Sequence, residues 1–192
     1  SAFAGNPALI DPDPPSLDGA VSVAEFQDAS AHWLPDYALF MALREAHGAP
    51  WTNWPIPLRD RDPDALPEAA AAHQERIKAL IREQWVFQNQ WQALRSKAHQ
   101  AGVQLVGDVP IYVAHDSADV WAHPEWFELD KGGHPIEVAG VPPDDFSDTG
   151  QLWGNPLYDW ERVAEDGFDF WIRRFARTFE LFDAVRVDHF RG

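Results

Sequence analysis

Hydrophobic residues return along this chain in two rhythms. Spacings of three and four predict helices, and unbroken apolar runs of four or five predict short buried strands. Over residues 36–47, Leu39, Phe40 and Leu43 follow helical spacing, with Asp36 as the expected N-cap and Gly48 as the residue that ends the helix. A short helix is predicted over 23–29. The rest of 1–35 holds turn chemistry, as in Asn6-Pro7, Asp11-Pro12 and Asp13-Pro14-Pro15. Pro50-Trp-Thr-Asn-Trp-Pro-Ile-Pro57 reads as an extended loop whose two indoles plug the bottom of a core. From 67 to 101 the pattern is helical, as one long helix or two in tandem, with Pro67 in the first turn and Gly102 at the exit. Phe87, Trp91, Leu94, Ala98 and Ala101 fall on one face, which is assigned to the core.

Two apolar runs close on an acid. Val103-Gln-Leu-Val-Gly-Asp108 follows the long helix. Ala184-Val-Arg-Val-Asp188 follows a helix predicted over 167–182, whose apolar face is Phe168, Trp171, Phe175, Phe179 and Phe182. Pro110 excludes an ordinary central-strand position just after the first run. Residues 118–160, in between, read as an insertion. It holds a hairpin turn, Glu128-Leu-Asp-Lys-Gly-Gly-His-Pro135, between strands at 126–129 and 136–139, then a long polar loop over 141–156 carrying Phe146 and Trp153. The order helix, strand, insertion, helix, strand makes a βαβ unit with parallel strands. If the strands are neighbours, Asp108 and Asp188 share one rim about 5–10 Å apart. That rim is where α/β folds keep their sites. Strand alternation sets Arg186 and Asp188 on one side. A guanidinium beside a carboxylate favours its ionised form, which suits a nucleophile or an electrostatic stabiliser. A structural ion pair closing the strand is the alternative.

Composition changes this picture in a few places. The 192 residues, 45% hydrophobic and 24% charged, suit one globular domain. With 31 acidic against 15 basic residues, a net charge of −16 argues against nucleic acid or an anionic membrane as partner. Zero cysteines exclude a disulfide framework and a Cys-type zinc site. No apolar run reaches membrane-spanning length. The opening Ser1-Ala-Phe-Ala lacks Met and a signal pattern, so the chain is expected to be a piece of something longer. Ten tryptophans offer faces that stack on sugar rings, although most are assigned to core or groove walls. A Gly-rich phosphate loop and a Gly-x-Ser-x-Gly elbow are absent. Two acids, an arginine and an aromatic loop fit glycoside chemistry best. A rival reading takes His115-Asp116 and Asp188-His189 as metal ligands.

Three stretches then carry a family resemblance. Gly107-Asp-Val-Pro-Ile-Tyr-Val-Ala-His-Asp-Ser-Ala-Asp-Val-Trp121 resembles the first conserved region of amylomaltases, the 4-α-glucanotransferases of glycoside hydrolase family 77. Ala139-Gly-Val-Pro-Pro-Asp-Asp-Phe-Ser, continuing to Gly-Gln-Leu-Trp-Gly-Asn-Pro-Leu-Tyr158, resembles their loop over the active site. Val185-Arg-Val-Asp-His-Phe-Arg-Gly192 resembles their nucleophile region, and Ser1-Ala-Phe-Ala-Gly-Asn-Pro7 is similar to their segment after the first barrel strand.

The resemblance implies an α/β fold, a partial (β/α)8 barrel of about strands 2 to 4. Residues 1–192 would be a fragment of the catalytic barrel, and 118–160 an insertion that includes the active-site loop. It implies transfer of α-1,4-glucan segments to an acceptor glucan or glucose by a retaining double displacement, in the cytoplasm, with no cofactor and no metal. The partners implied are α-1,4-glucans and malto-oligosaccharides, with neither nucleic acid nor membrane. By position Asp188 matches the nucleophile and Arg186 the arginine beside it. Asp108 matches a supporting acid and His189 a donor-sugar contact. Asp144, Phe146 and Trp153 fall in the loop that lines the acceptor side. Asp145 stands where many members carry Tyr. In that family the acid/base glutamate and a third acid follow on later strands, beyond Gly192, and no role there is argued for Glu125, Glu128 or Glu137. The 192 residues by themselves are therefore expected not to catalyse transfer. An α-amylase-type hydrolase and a non-catalytic glucan-binding protein stay open as alternatives.

Overall fold

In the computed structural model, which describes residues 21–143, 145 and 148–188, eight α-helices and four strands are described around an aromatic core. Helix α1 (Val23–Ala29) starts in a capping box: Ser22 Oγ accepts from the Glu25 backbone, and the Glu25 carboxylate accepts from the Ser22 backbone. Helix α2 (Leu34–His47) is capped by Trp33 rather than Asp36. Pro35 suits the first turn, where its missing N–H costs nothing, and Asp36 pairs instead with Arg61 at 2.6 Å. Gly48, at φ +61, ends α2 as expected.

The Pro-bounded stretch folds into a short 3-10 turn (Trp51–Asn53) and helix α3 (Ile56–Arg59). Its two indoles are buried, as read from sequence. The long helical region is a tandem: α4 (Ala65–Ala72), then α5 (Gln74–Gln100), joined at His73. The stripe assigned to the core is corrected here. Phe87 is 43% and Leu94 52% exposed, while α5 buries Leu80, Val86 and Asn89. The rotation of α5 is set by α2, whose Ala38 and Ala42 receive Leu80, and by the stretch before α1, where Val21 donates its N–H to Asn89 Oδ1. Close approach of small residues and one satisfied amide outweigh the apolar period.

After α5 come β1 (Val106–Val109), α6 (Ala118–Ala122), β2 (Val138–Val141), β3 (Gln151–Pro156), α7 (Trp160–Glu165), α8 (Asp169–Leu181) and β4 (Ala184–Val187). β1 and β4 pair in parallel, Val106 with Ala184 through Val109 with Val187. β2 and β3 pair antiparallel, with an irregularity between Val138 and Gly140. The α/β class is as expected. Among the described residues each sheet holds two strands, so a barrel wall is not closed there.

The insertion differs from its sequence reading. The turn at 130–134 forms, with Asp130 N–H donating to His134 C=O at 2.8 Å, but its flanks make a single bridge, Leu129 with Pro135. Phe127 bridges Tyr158 instead, and the segment read as a polar loop supplies β3 as the partner of β2. β3 escapes sequence reading because half of its residues are exposed and its sequence lacks alternation. A Cβ at Gly140 would overlap the Gln151 carbonyl, so this pairing needs glycine there.

The core is rich in tryptophan. Trp121 is fully buried, 5.9 Å from Phe40 and 5.7 Å from Trp54 between ring centroids, and its indole N–H donates to Leu58 C=O at 2.9 Å. That bond removes the penalty of burying the indole nitrogen. Trp51, Trp126, Phe127, Tyr158 and Phe170 extend the same cluster. Truncating one such ring costs about 3–5 kcal/mol. This core fastens the insertion and α8 under the β1–β4 pair.

Candidate active site

The β1–β4 register places Asp108 directly opposite Arg186. Strand alternation turns Gly107 and Val109 inward and leaves Val106 and Asp108 exposed on the other face. The inward face is tight, since a Cβ on Gly107 would overlap the Phe182 ring. On the exposed face Arg186 bridges two carboxylates. Its Nη2 donates to Asp188 Oδ2 at 2.7 Å and to Asp108 Oδ2 at 3.2 Å, and its Nε reaches Asp108 Oδ1 at 3.3 Å. The hydrogen bond to Asp108, then the charges of Asp108 and Asp188, hold the guanidinium above its ordinary pKa. All three side chains are more than half exposed, so these pairs order the rim more than they stabilise the fold. Sequence reading placed both acids on one rim and Arg186 beside Asp188. The structure brings all three together and adds the bond from Arg186 to Asp108.

The chain leaving β1 is fixed through its carbonyls. Pro110 C=O accepts from Arg174 Nη2 at 2.6 Å and Ile111 C=O from the Tyr158 hydroxyl at 2.9 Å. Val113 C=O accepts from Asn155 Nδ2 at 2.7 Å, and His115 C=O from Trp51 Nε1 at 2.8 Å. Burial pushes the Tyr158 phenol up to about 12, against a lowering by the nearby Arg174. Sequence reading missed these anchors. Asn155 and Tyr158 stand in the motif, Arg174 on the last helix and Trp51 in the Pro-bounded stretch, but long-range side-chain bonds to carbonyls leave no periodic signal.

Trp153 lies on β3, half-buried, with its indole N–H donating to Gln151 Oε1 at 3.0 Å. Its ring meets Tyr112 at 6.3 Å, and Tyr112 stacks on Tyr158 at 5.9 Å. The β2–β3 arm thus rests on the loop that follows β1. Asp144, Phe146 and His189 lie outside the described residues. The rival pair His115-Asp116 diverges: His115 Nε2 donates to Gly133 C=O at 2.6 Å, while Asp116 is held by Arg44 at 2.9 Å. Among the described residues no three His, Asp or Glu side chains converge as a metal group, and no helix is long and apolar enough to cross a membrane.

Known proteins share this arrangement of sequence. Residues 14–192 match a protein family described as 4-alpha-glucanotransferase. The chain is 56% identical over 170 residues to a 4-alpha-glucanotransferase of Thermus thermophilus, an alignment covering 88% of this chain and 34% of that protein. It is 47% identical over 161 residues to a chloroplastic/amyloplastic 4-alpha-glucanotransferase of Solanum tuberosum, covering 83% and 28%. Amylomaltase from Streptococcus agalactiae, solved in complex with acarbose, is similar in structure with a TM-score of 0.83 at 41% identity, over 88% of this chain and 34% of that one. The chain spans about a third of the length of the relatives it matches.

Proposed function

The chain belongs to the 4-alpha-glucanotransferase family, and on that premise we propose that it supplies the nucleophile-bearing wall of a glucan-transferring site. In this reading the chain covers about the second to fourth strands of a (β/α)8 wall, β1 and β4 among them, and 118–160 is an insertion packed over the wall's C-terminal rim. One Asp188 oxygen attacks the anomeric carbon of an α-1,4-glucan. The bond from that carbon to the leaving 4-oxygen breaks, and a carboxylic acid outside the described residues protonates the leaving oxygen. The same group then takes the proton of an acceptor 4-hydroxyl, which displaces Asp188 and restores the α configuration. Arg186 keeps Asp188 aimed, and Asp108 holds Arg186. Asp144, Phe146, Trp153 and His189 complete the sugar contacts.

The observation that carries this reading is the single guanidinium spanning two carboxylates at the ends of two parallel strands. Trp153, seated on Tyr112 at the base of the arm, supports the acceptor side. Transfer needs a sugar hydroxyl to outcompete water, so an aromatic wall that orders the acceptor favours it.

The test uses the longest natural polypeptide that contains this chain, given maltotriose and resolved by chromatography. Glucose plus a ladder of longer maltodextrins, lost in Asp188→Asn, is expected. Equal maltose and glucose without a ladder would mark an α-amylase-type hydrolase, and saturable binding without turnover a glucan-binding protein. Trp153→Ala is expected to raise the ratio of hydrolysis to transfer several-fold. Unchanged partitioning would remove the acceptor role.

A further inference from the structure

A cavity of about 320 Å³ opens between the start of α2, α6 and α8, and the mechanism above does not use it. Its size lies within the usual range of small-molecule sites. Aromatic walls come from Trp33, Tyr37, Trp126 and Phe170. Polar groups of both signs face the same space: Asp119 from α6, His32 and His123 at its edges, and Arg174 and Arg177 from α8. Asp119 stands on the exposed side of this space, and desolvation raises its pKa against the lowering charges of Arg174 and His123. A carboxyl so placed in a cleft marks a candidate site.

The charges decide the class of ligand. Arg177 is paired with Glu180 at 2.8 Å and lies 5.7 Å above the Trp33 ring. Arg173 is paired with Asp169, and Arg174 is spent on Pro110 C=O and the Tyr158 hydroxyl. Their positive charge is therefore already largely answered, and an anion would in addition meet Asp119. A cation would gain only Asp119, since Asp36, which also lines the cavity, is paired with Arg61. A neutral polyol can accept from guanidinium N–H groups, donate to the Asp119 carboxylate and lay its C–H face on an indole. We propose that this cavity binds one hexopyranose unit, free or at the end of a glucan, at a site separate from the Asp188 rim. The inference goes beyond the catalytic reading and shares with it only the class of ligand. Arg174 lines the cavity and also holds the chain leaving β1, so occupancy would be felt at the rim.

The experiment titrates glucose, maltotriose and inorganic phosphate separately into the full chain and follows the Trp33 indole and the His32 and His123 rings by NMR. Glucose and maltotriose are expected to shift these signals saturably, with affinity falling several-fold in Asp119→Asn and in His32→Ala, as for one lost hydrogen bond. His32 is exposed, so its variant should keep the fold and decides the matter if Asp119→Asn does not fold. Asp188→Asn should leave the shifts unchanged. Phosphate acting at lower concentration than the sugars would overturn the proposal in favour of an anion site. So would shifts abolished by Asp188→Asn, or no shifts at these rings. The maltotriose product ladder reads the catalytic proposal independently of all these outcomes.

Discussion

Tyr158 shows how much of this site rests on single side chains. It is 2% exposed, yet its hydroxyl donates to Ile111 C=O and accepts from Arg174 at 3.3 Å. Tyr158→Phe would keep the ring packing and orphan both partners. A loss of about 1–3 kcal/mol in urea denaturation is expected, and unchanged stability would show that the hydroxyl is dispensable. The sign with pH follows from the raised pKa. The protonated phenol is favoured in the fold, so this contribution is complete below the unfolded value near 10 and is lost as pH rises through about 12. The wild type should therefore lose stability over that window more steeply than Tyr158→Phe. Residue-level chemistry was legible in sequence where it was local. Arg186 and Asp188 stand two apart on a strand, and alternation puts them together. Tyr158 and Ile111 are 47 positions apart, and no local rule joins them.

At the scale of elements, the parallel pair depends on Asp183, the residue just before β4. Its carboxylate accepts from Leu105 N–H at 2.8 Å and pairs with Arg95 and His99 of α5. These bonds, the backbone one first, hold its pKa well below the ordinary carboxylate range. The stability so gained is present above the unfolded carboxyl value of about 4 and is lost as pH falls toward the depressed folded one. Asp183→Asn is expected to lower the Tm at neutral pH and to flatten its fall on acidification below about pH 4. Parallel wild-type and variant Tm curves would refute the linkage. The two parallel strands were readable because each is a short apolar run between a helix and an acid. The antiparallel arm was not, because glycine contact and an exposed, irregular strand specify it. The α5 stripe misled for a related reason: periodicity shows that a helix has a face, while its neighbours choose which face is covered.

For the whole molecule, charge and surface pull in opposite directions. A net charge of −16 keeps copies apart, whereas Val106, Ile172 and Phe179 stand 68%, 61% and 52% exposed. Salt weakens the repulsion, with a Debye length of about 10 Å at 0.1 M. The purified chain is expected to be monomeric at low salt and to self-associate at high salt in sedimentation velocity, with Phe179→Ser and Ile172→Ser together reducing association. A monomer at every ionic strength would show these side chains to be too scattered to act as a patch.

The carbonyl anchoring of residues 110–115 carries one more consequence. A segment held by its backbone does not depend on its own side chains to keep its path. Half-buried Ile111 and exposed Ala114 can then be exchanged with little loss of shape, whereas buried Val113 and Tyr112, stacked on Tyr158, stay tied to the core. The constraint falls instead on distant donors at 51, 155, 158 and 174. Variation in preference and invariance of scaffold are thereby assigned to different parts of the chain.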